Sequence, residues 1–194
     1  MSKRNHLSKS ILLASNSPRR LALLNEMGLA VRVQKVEVPE DFPPAMPLRQ
    51  VAKYLAERKA MAARSLKLHG EIILGSDTIV MVDGRILEKP QDRDDAQNML
   101  LQLSDRKHEV ITGVCLISDH HKSIFHDVTE VRFVPIDLDE IDYYIDHYRP
   151  YDKAGSYGIQ EWIGHCKISQ ILGSYTNVMG LPTAMIYNKL KTEF

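Results

Sequence analysis

The chain reads as a mixed α/β protein built on one long sheet. Three observations point there. Strand-like apolar runs alternate with helical ones from end to end. The run Ile72–Met81 is apolar on both faces, as a central strand buried on two sides requires. Asp83-Gly84 between two apolar runs is a strong two-residue hairpin signal, with Arg85–Leu87 as the returning strand.

Ile11–Ala14 is a short buried strand. Ser17 then caps a helix with Pro18 at its first position, and Gly28 ends it. Val31–Val36 alternates as a strand and runs into a Pro-rich loop, Pro39–Pro47. Pro47 opens a long helix to about Leu68, with Leu48, Val51, Leu55, Ala62 and Leu66 as its apolar stripe. Glu71–Val82 is the long strand, and Asp92 caps a helix to about Leu103. Lys107–Ser118 and Lys122–Pro135 are strands joined through Asp119-His120-His121. Asp137 caps a short helix to His147, before the Gly-rich stretch Ala154–Gln160. A strand near Ile168–Leu172, a loop ending Gly180-Leu181-Pro182 and a final helix complete the chain. The Pro-rich loop and Tyr148–Gln160 are the expected walls of a cleft between two lobes of one domain, residues 1–194.

Composition excludes several classes. With 194 residues, 44% hydrophobic, the chain can bury a core without disulfides or metals to hold it. Lys+Arg and Asp+Glu are 25 each, so the basic excess of a nucleic-acid binder is missing. Cys115 and Cys166 show no paired spacing and read as reduced, buried residues of a cytoplasmic protein. The basic Met1–Lys9 tract is followed by only Ile11–Ala14, too short for a signal peptide or a membrane span. The eight histidines show no zinc spacing, and His120-His121 reads as a turn.

Several residues break local rules. In Ser15-Asn16-Ser17-Pro18-Arg19-Arg20, two arginines occupy a helix's first turn, where the macrodipole disfavours cations. Arg20 falls on the apolar face near Leu24 and Met27. Hydroxyls, free N–H groups and guanidiniums at one helix start suit a phosphate, although two solvated arginines would fit as well. Lys59 lies at about 80° from Val51, inside the apolar stripe; it either snorkels or points into a polar pocket. On the latter reading, Lys59→Met costs activity and leaves stability equal or higher. Asp77 interrupts a buried strand and must find a cation or a metal. Lys89 and Glu40, taken alone, read as solvated loop residues. The two glycines of Asp152–Gln160 are a weak signal.

Together these segments resemble the Maf family of nucleoside triphosphate pyrophosphatases. The resemblance is carried by Ala14–Arg20, Leu55–Ala60, Gly75–Val80, Leu87–Pro90, Asp152–Gln160 and Gly173–Pro182. It implies a two-lobed α/β fold with an elongated mixed sheet flanked by helices and a central cleft. It also implies hydrolysis between the α- and β-phosphates, a divalent cation (Mg²⁺ or Mn²⁺), and a small-molecule nucleoside triphosphate as partner. No nucleic acid or membrane partner is implied, and a homodimer is left open. Residue by residue, Asp77 is the proton acceptor, with Glu40 and Asp77 as metal ligands. Ser15, Arg20, Lys59 and Lys89 are triphosphate contacts, and Arg19, Thr78 and Gln160 set specificity. Those three match the branch preferring dTTP and UTP over 7-methyl-GTP. The alternative from another class is a non-catalytic regulator of septum formation, for which the Asp77 carboxylate would have no use.

Overall fold

The computed structural model describes residues 7–194; the first six residues of the basic N-terminal tract lie outside them. The strands are β1 (Ser10–Leu13), β2 (Ala30–Val33), β3 (Glu71–Val82), β4 (Arg85–Leu87), β5 (Lys107–Ile117), β6 (Lys122–Phe133) and β7 (Ile168–Leu172). They form one seven-stranded sheet in the order β2-β1-β3-β5-β6-β7, with β4 pairing beside β3. The sheet is mixed: β1 runs parallel to both β2 and β3, whereas β3–β4 and β6–β7 are antiparallel. Helices α1 (Pro18–Glu26), α2 (Leu48–Ala62), α3 (Arg93–Leu103), α4 (Leu138–Tyr148), α5 (Trp162–Lys167), α6 (Tyr175–Val178) and α7 (Thr183–Thr192) flank the chain's strands in sequence.

The chain divides into two compact units. The first takes the chain up to Asp77, Thr112–Asp127 and Gly180–Phe194; the second takes Thr78–Ile111 and Val128–Met179. Each has its own apolar core. Leu12, Ala14, Ala56, Ala60, Ile73 and Cys115 pack together in the first. Val80, Leu100, Val110, Phe133, Tyr144 and Ile163 belong to the second.

In the first unit, α2 approaches the sheet unusually closely. A Cβ on Gly75 would meet the Ala56 carbonyl oxygen at 2.3 Å, and one on Gly113 would meet that of Ala52 at 2.2 Å. Glycine in two strands against alanine on the helix permits this approach. The buried stripe of α2 is therefore Val51, Ala52, Leu55, Ala56 and Ala60. Sequence periodicity expected Ala62 and Leu66 in it, but both are exposed, and Leu66 sits in a separate 3₁₀ turn, Arg64–Leu66. The glycines select the small residues Ala52, Ala56 and Ala60 at the contact, and the helix ends before Leu66 can join the stripe.

Other boundaries moved for local reasons. β2 stops at Val33 rather than Val36, because its ladder partner β1 ends at Leu13. The long helix begins after Pro47 and ends at Ala62, well short of Leu68. Helices α5 and α6, at six and four residues, are too short to show in sequence periodicity; α6 does carry a cap, with Ser174 accepting from the Asn177 N–H at 3.3 Å. Cys115 is buried, its thiol pushed up to about 12 by burial, but Cys166 is exposed, against the expectation that both are buried.

The second unit contains a buried histidine. The His108 Nε2 lies 2.7 Å from the Tyr157 hydroxyl, and the ring meets Phe133 and Tyr157 edge-on. Burial pushes its pKa down to about 4. The group is neutral in both folded and unfolded chains at pH 7, so it carries no penalty there. As pH falls below about 6.5 the unfolded chain takes up the proton first, and stability drops until the folded pKa near 4 is reached. The expected loss by pH 4 is about 3 kcal/mol. Urea unfolding at pH 7 and pH 4 should show a smaller acid loss for His108→Gln than for wild type. Equal losses would remove His108 as the cause.

Candidate active site

β3 carries the central carboxylate. Gly75 and Asp77 are two residues apart on a strand, so they share a face. Gly75 brings α2 down onto that face, and Lys59, one residue before the contacting Ala60, meets Asp77 there. The Lys59 Nζ lies 2.5 Å from Asp77 Oδ1 and 2.9 Å from Glu40 Oε1. The Asp77 and Lys59 side chains are only 11% and 13% exposed, so this pair is shielded, whereas Glu40 is half exposed. The buried carboxylate thus has its cation, and the snorkelling reading of Lys59 fails. Lys59 is held between two carboxylates.

The Glu40 loop is pinned to α2 by a second contact that sequence reasoning missed. Arg58 donates to the Asp41 carbonyl at 2.7 Å and to its carboxylate at 3.0 Å. Adjacent residues of one helix therefore hold adjacent residues of the acidic loop. The available signal was the reciprocal order of charge, Glu40-Asp41 against Arg58-Lys59.

Around the β1–α1 turn, Ser17 caps the helix as expected, its side chain accepting from the Arg20 N–H at 3.4 Å. Arg20 folds back beneath the turn. Its Nη1 donates to the Ser76 carbonyl at 2.9 Å and to Ser15 Oγ at 3.3 Å, and its Nε donates to the Gly180 carbonyl at 3.0 Å. The Ser76 hydroxyl, fully buried, donates to the same Gly180 carbonyl at 3.2 Å. Arg20 therefore ties α1 to the strand residue preceding Asp77 and to the Gly180 loop. Burial lowers its pKa and Arg19 adds to the effect, while Asp77 and Glu40 oppose it without restoring the ordinary value. The expected cluster of Ser15, Arg20, Lys59, Asp77 and Glu40 is thus assembled within the first unit. Arg19 sits beside Arg20 in the first turn of α1 and is half-buried.

Thr78, Lys89 and Gln160 belong to the second unit. There the 3₁₀ turn Ala154–Ser156 docks on β3 and on the residue that follows β4. The Gly155 N–H donates to the Glu88 carbonyl at 3.0 Å, next to Lys89. Gly155 has φ +67, and a Cβ there would meet Val80 side-chain atoms from 2.9 Å. Val80 shares its strand face with Thr78. Gln160 follows in the same segment, its amide Oε1 buried with no hydrogen-bond partner among the described groups. Sequence reasoning missed two charged residues here, Lys153 and Glu161. The Lys153 ammonium lies 3.2 Å from Glu161 Oε1 and 2.7 Å from Asp152 Oδ1. The available signal was a pair of opposite charges, Lys153 and Glu161, flanking the Gly-rich stretch.

Among the described residues, no group of three or more His, Cys, Asp or Glu side chains could hold a metal ion, and no helix is long and apolar enough to cross a membrane.

The chain is similar to several known proteins. A protein named dTTP/UTP pyrophosphatase from Bacteroides fragilis is 47% identical over 182 residues, covering 93% of this chain and 94% of the relative. One of the same name from Porphyromonas gingivalis is 47% identical over 186 residues, covering 93% and 92%. A solved structure described as a nucleoside-triphosphatase / dITP/XTP pyrophosphatase from Mycobacterium abscessus is 21% identical, with a TM-score of 0.39 over 64% of this chain and 72% of that one. Residues 10–193, which hold every cluster described above, match the Maf-like protein family, and the chain belongs to it.

Proposed function

We propose that the chain hydrolyses nucleoside triphosphates between the α- and β-phosphates, releasing a monophosphate and pyrophosphate, with dTTP and UTP as preferred substrates. The observation that carries this is Lys59 held between the Asp77 and Glu40 carboxylates. Relatives named dTTP/UTP pyrophosphatase at 47% identity over nearly the full chain support the substrate class. On this reading the protein works in the cytoplasm, limiting excess or non-canonical nucleotides.

Phosphoryl transfer needs charge neutralisation and an oriented water more than covalent chemistry. Lys59 and Arg20 supply cations, and Ser15 a neutral donor. Triphosphate oxygens compete for the Lys59 N–H groups, which releases the Asp77 carboxylate to accept a proton from the attacking water. Lys89 is a further triphosphate contact, and Arg19 and Thr78 contribute to specificity. Two carboxylates converging on one cationic group also suit a hard divalent ion, since Mg²⁺ is commonly held by one or two carboxylates plus substrate phosphates. Asp77 and Glu40 would hold it. When bound, the ion neutralises charge on the phosphates.

Gln160 reads the base. Its buried amide oxygen accepts the ring N–H that thymine and uracil both carry, and its NH₂ donates to an adjacent carbonyl. A site built around such a pair rejects other bases, because its own polar groups are then left unpaired. The test is pyrophosphate release, with and without Mg²⁺, across dTTP, UTP, CTP, GTP and 7-methyl-GTP. The expected order puts dTTP and UTP first and 7-methyl-GTP far behind, with Gln160→Glu eroding that preference more than it weakens triphosphate binding. Fastest turnover of a purine triphosphate would end the substrate assignment. No pyrophosphate from any nucleotide would end the enzymatic one.

A further inference from the structure

Glu161 has an unusual position. It is the N-cap of α5, yet its side chain makes no capping bond, so the helix start gives no reason for a carboxylate here. The side chain turns back under the preceding loop instead. There it accepts a hydrogen bond from the Tyr144 hydroxyl and pairs with Lys153 Nζ at 3.2 Å. The Tyr144 oxygen in turn accepts the Gly158 N–H at 3.0 Å. Burial, followed by the bond to Glu161, raises the Tyr144 pKa, so the hydroxyl keeps the proton it donates.

These contacts bracket one turn. The Glu161 N–H donates to the Gly158 carbonyl at 3.0 Å, closing a four-residue turn with Ile159 and Gln160 in the middle. Gly158, at the first position, is held through Tyr144, and Glu161, at the last, is held through its own carboxylate. The packing leaves no slack: a Cβ on Gly158 would lie 2.8–3.0 Å from the Glu161 carboxylate atoms. Upstream, Lys153 is buried and joins the Gly155 segment to the same carboxylate. One side chain therefore fixes both ends of the turn that presents Gln160, and Gln160 holds its buried, unpartnered amide oxygen in place of a protein contact.

We propose that Glu161 is a positioning residue for base recognition: acting through Tyr144 and Lys153, its carboxylate fixes the Gly158–Glu161 turn and so holds Gln160 in register with the thymine or uracil edge. This rests on the pyrophosphatase reading given above. It differs from a general structural role because it predicts a loss of discrimination between bases, not a uniform loss of activity. Catalysis of the phosphate step is expected to be untouched.

The experiment is steady-state turnover of dTTP and GTP by wild type, Glu161→Gln, Gln160→Ala and the double variant. Glu161→Gln should raise KM for dTTP about tenfold while kcat stays within about twofold, the scale of one charged hydrogen-bonded contact. The kcat/KM preference for dTTP over GTP then falls by about the same factor. In the Gln160→Ala background the second substitution should add nothing to the loss of preference, because the two residues act through one element. A preference unchanged in Glu161→Gln, or losses that add in full in the double variant, would overturn the proposal. If Glu161→Gln does not fold, Tyr144→Phe removes a single hydroxyl and must show the same loss of preference; an unchanged preference there overturns it equally. A wild type that makes no pyrophosphate defeats the underlying activity, whereas a selective wild type with a selective Glu161→Gln defeats this proposal alone.

Discussion

Asp77→Asn lowers pyrophosphate release from dTTP by roughly 10²–10⁴, the range for removing a positioned general base, with the fold retained. Asn preserves the shape of the side chain on β3 and can still accept from Lys59, so the packing of α2 over Gly75 is not disturbed. What is lost is the charge that takes up a proton and helps to hold a divalent ion. Circular dichroism should match wild type, because Glu40 at 2.9 Å still neutralises Lys59, and dTTP should still bind through the cations. A variant retaining more than half of wild-type turnover would remove Asp77 from the mechanism.

Lys59→Met should abolish turnover to a similar degree, and here the structure reverses the stability expected from sequence. On an apolar helix face, Met in place of Lys looked neutral or favourable. In the structure, Lys59 is the direct partner of a carboxylate that is 11% exposed. Removing one member of a shielded ion pair strands the other, at a cost of about 3 kcal/mol. Replacing both members with apolar residues avoids that cost. The expected pattern in urea unfolding is therefore a destabilised Lys59→Met and a largely recovered Lys59→Met/Asp77→Leu, both inactive. A single variant as stable as wild type would mean that Arg20 or water already satisfies Asp77.

Backbone-level features were legible because they are local. Strand β3 matched its expected limits, as did the Asp83-Gly84 hairpin and the Ser17 and Asp92 caps. Each depends on residues within a few positions of one another: a continuous apolar run, a turn needing positive φ, a side-chain oxygen reaching three N–H groups ahead. Family membership was legible too, since six ordered motifs survive in linear order.

Partners across the sheet were not legible. That Asp77 needed a cation followed from its burial in an apolar strand, but which cation it took was decided by Gly75 and Gly113, which let α2 sink until Lys59 reached it. The same approach selected Ala52, Ala56 and Ala60 for the buried stripe. Arg20 looked like an anion ligand from its place at a helix start; that it also ties to the Ser76 and Gly180 carbonyls, 56 and 160 residues away, only the tertiary structure decided. Glu161 left no mark in periodicity or motif, because its meaning lies in Tyr144 and Lys153 folding onto it. Local chemistry determines where a charge is out of place; only the folded chain, by bringing distant backbone into contact, determines what that charge holds.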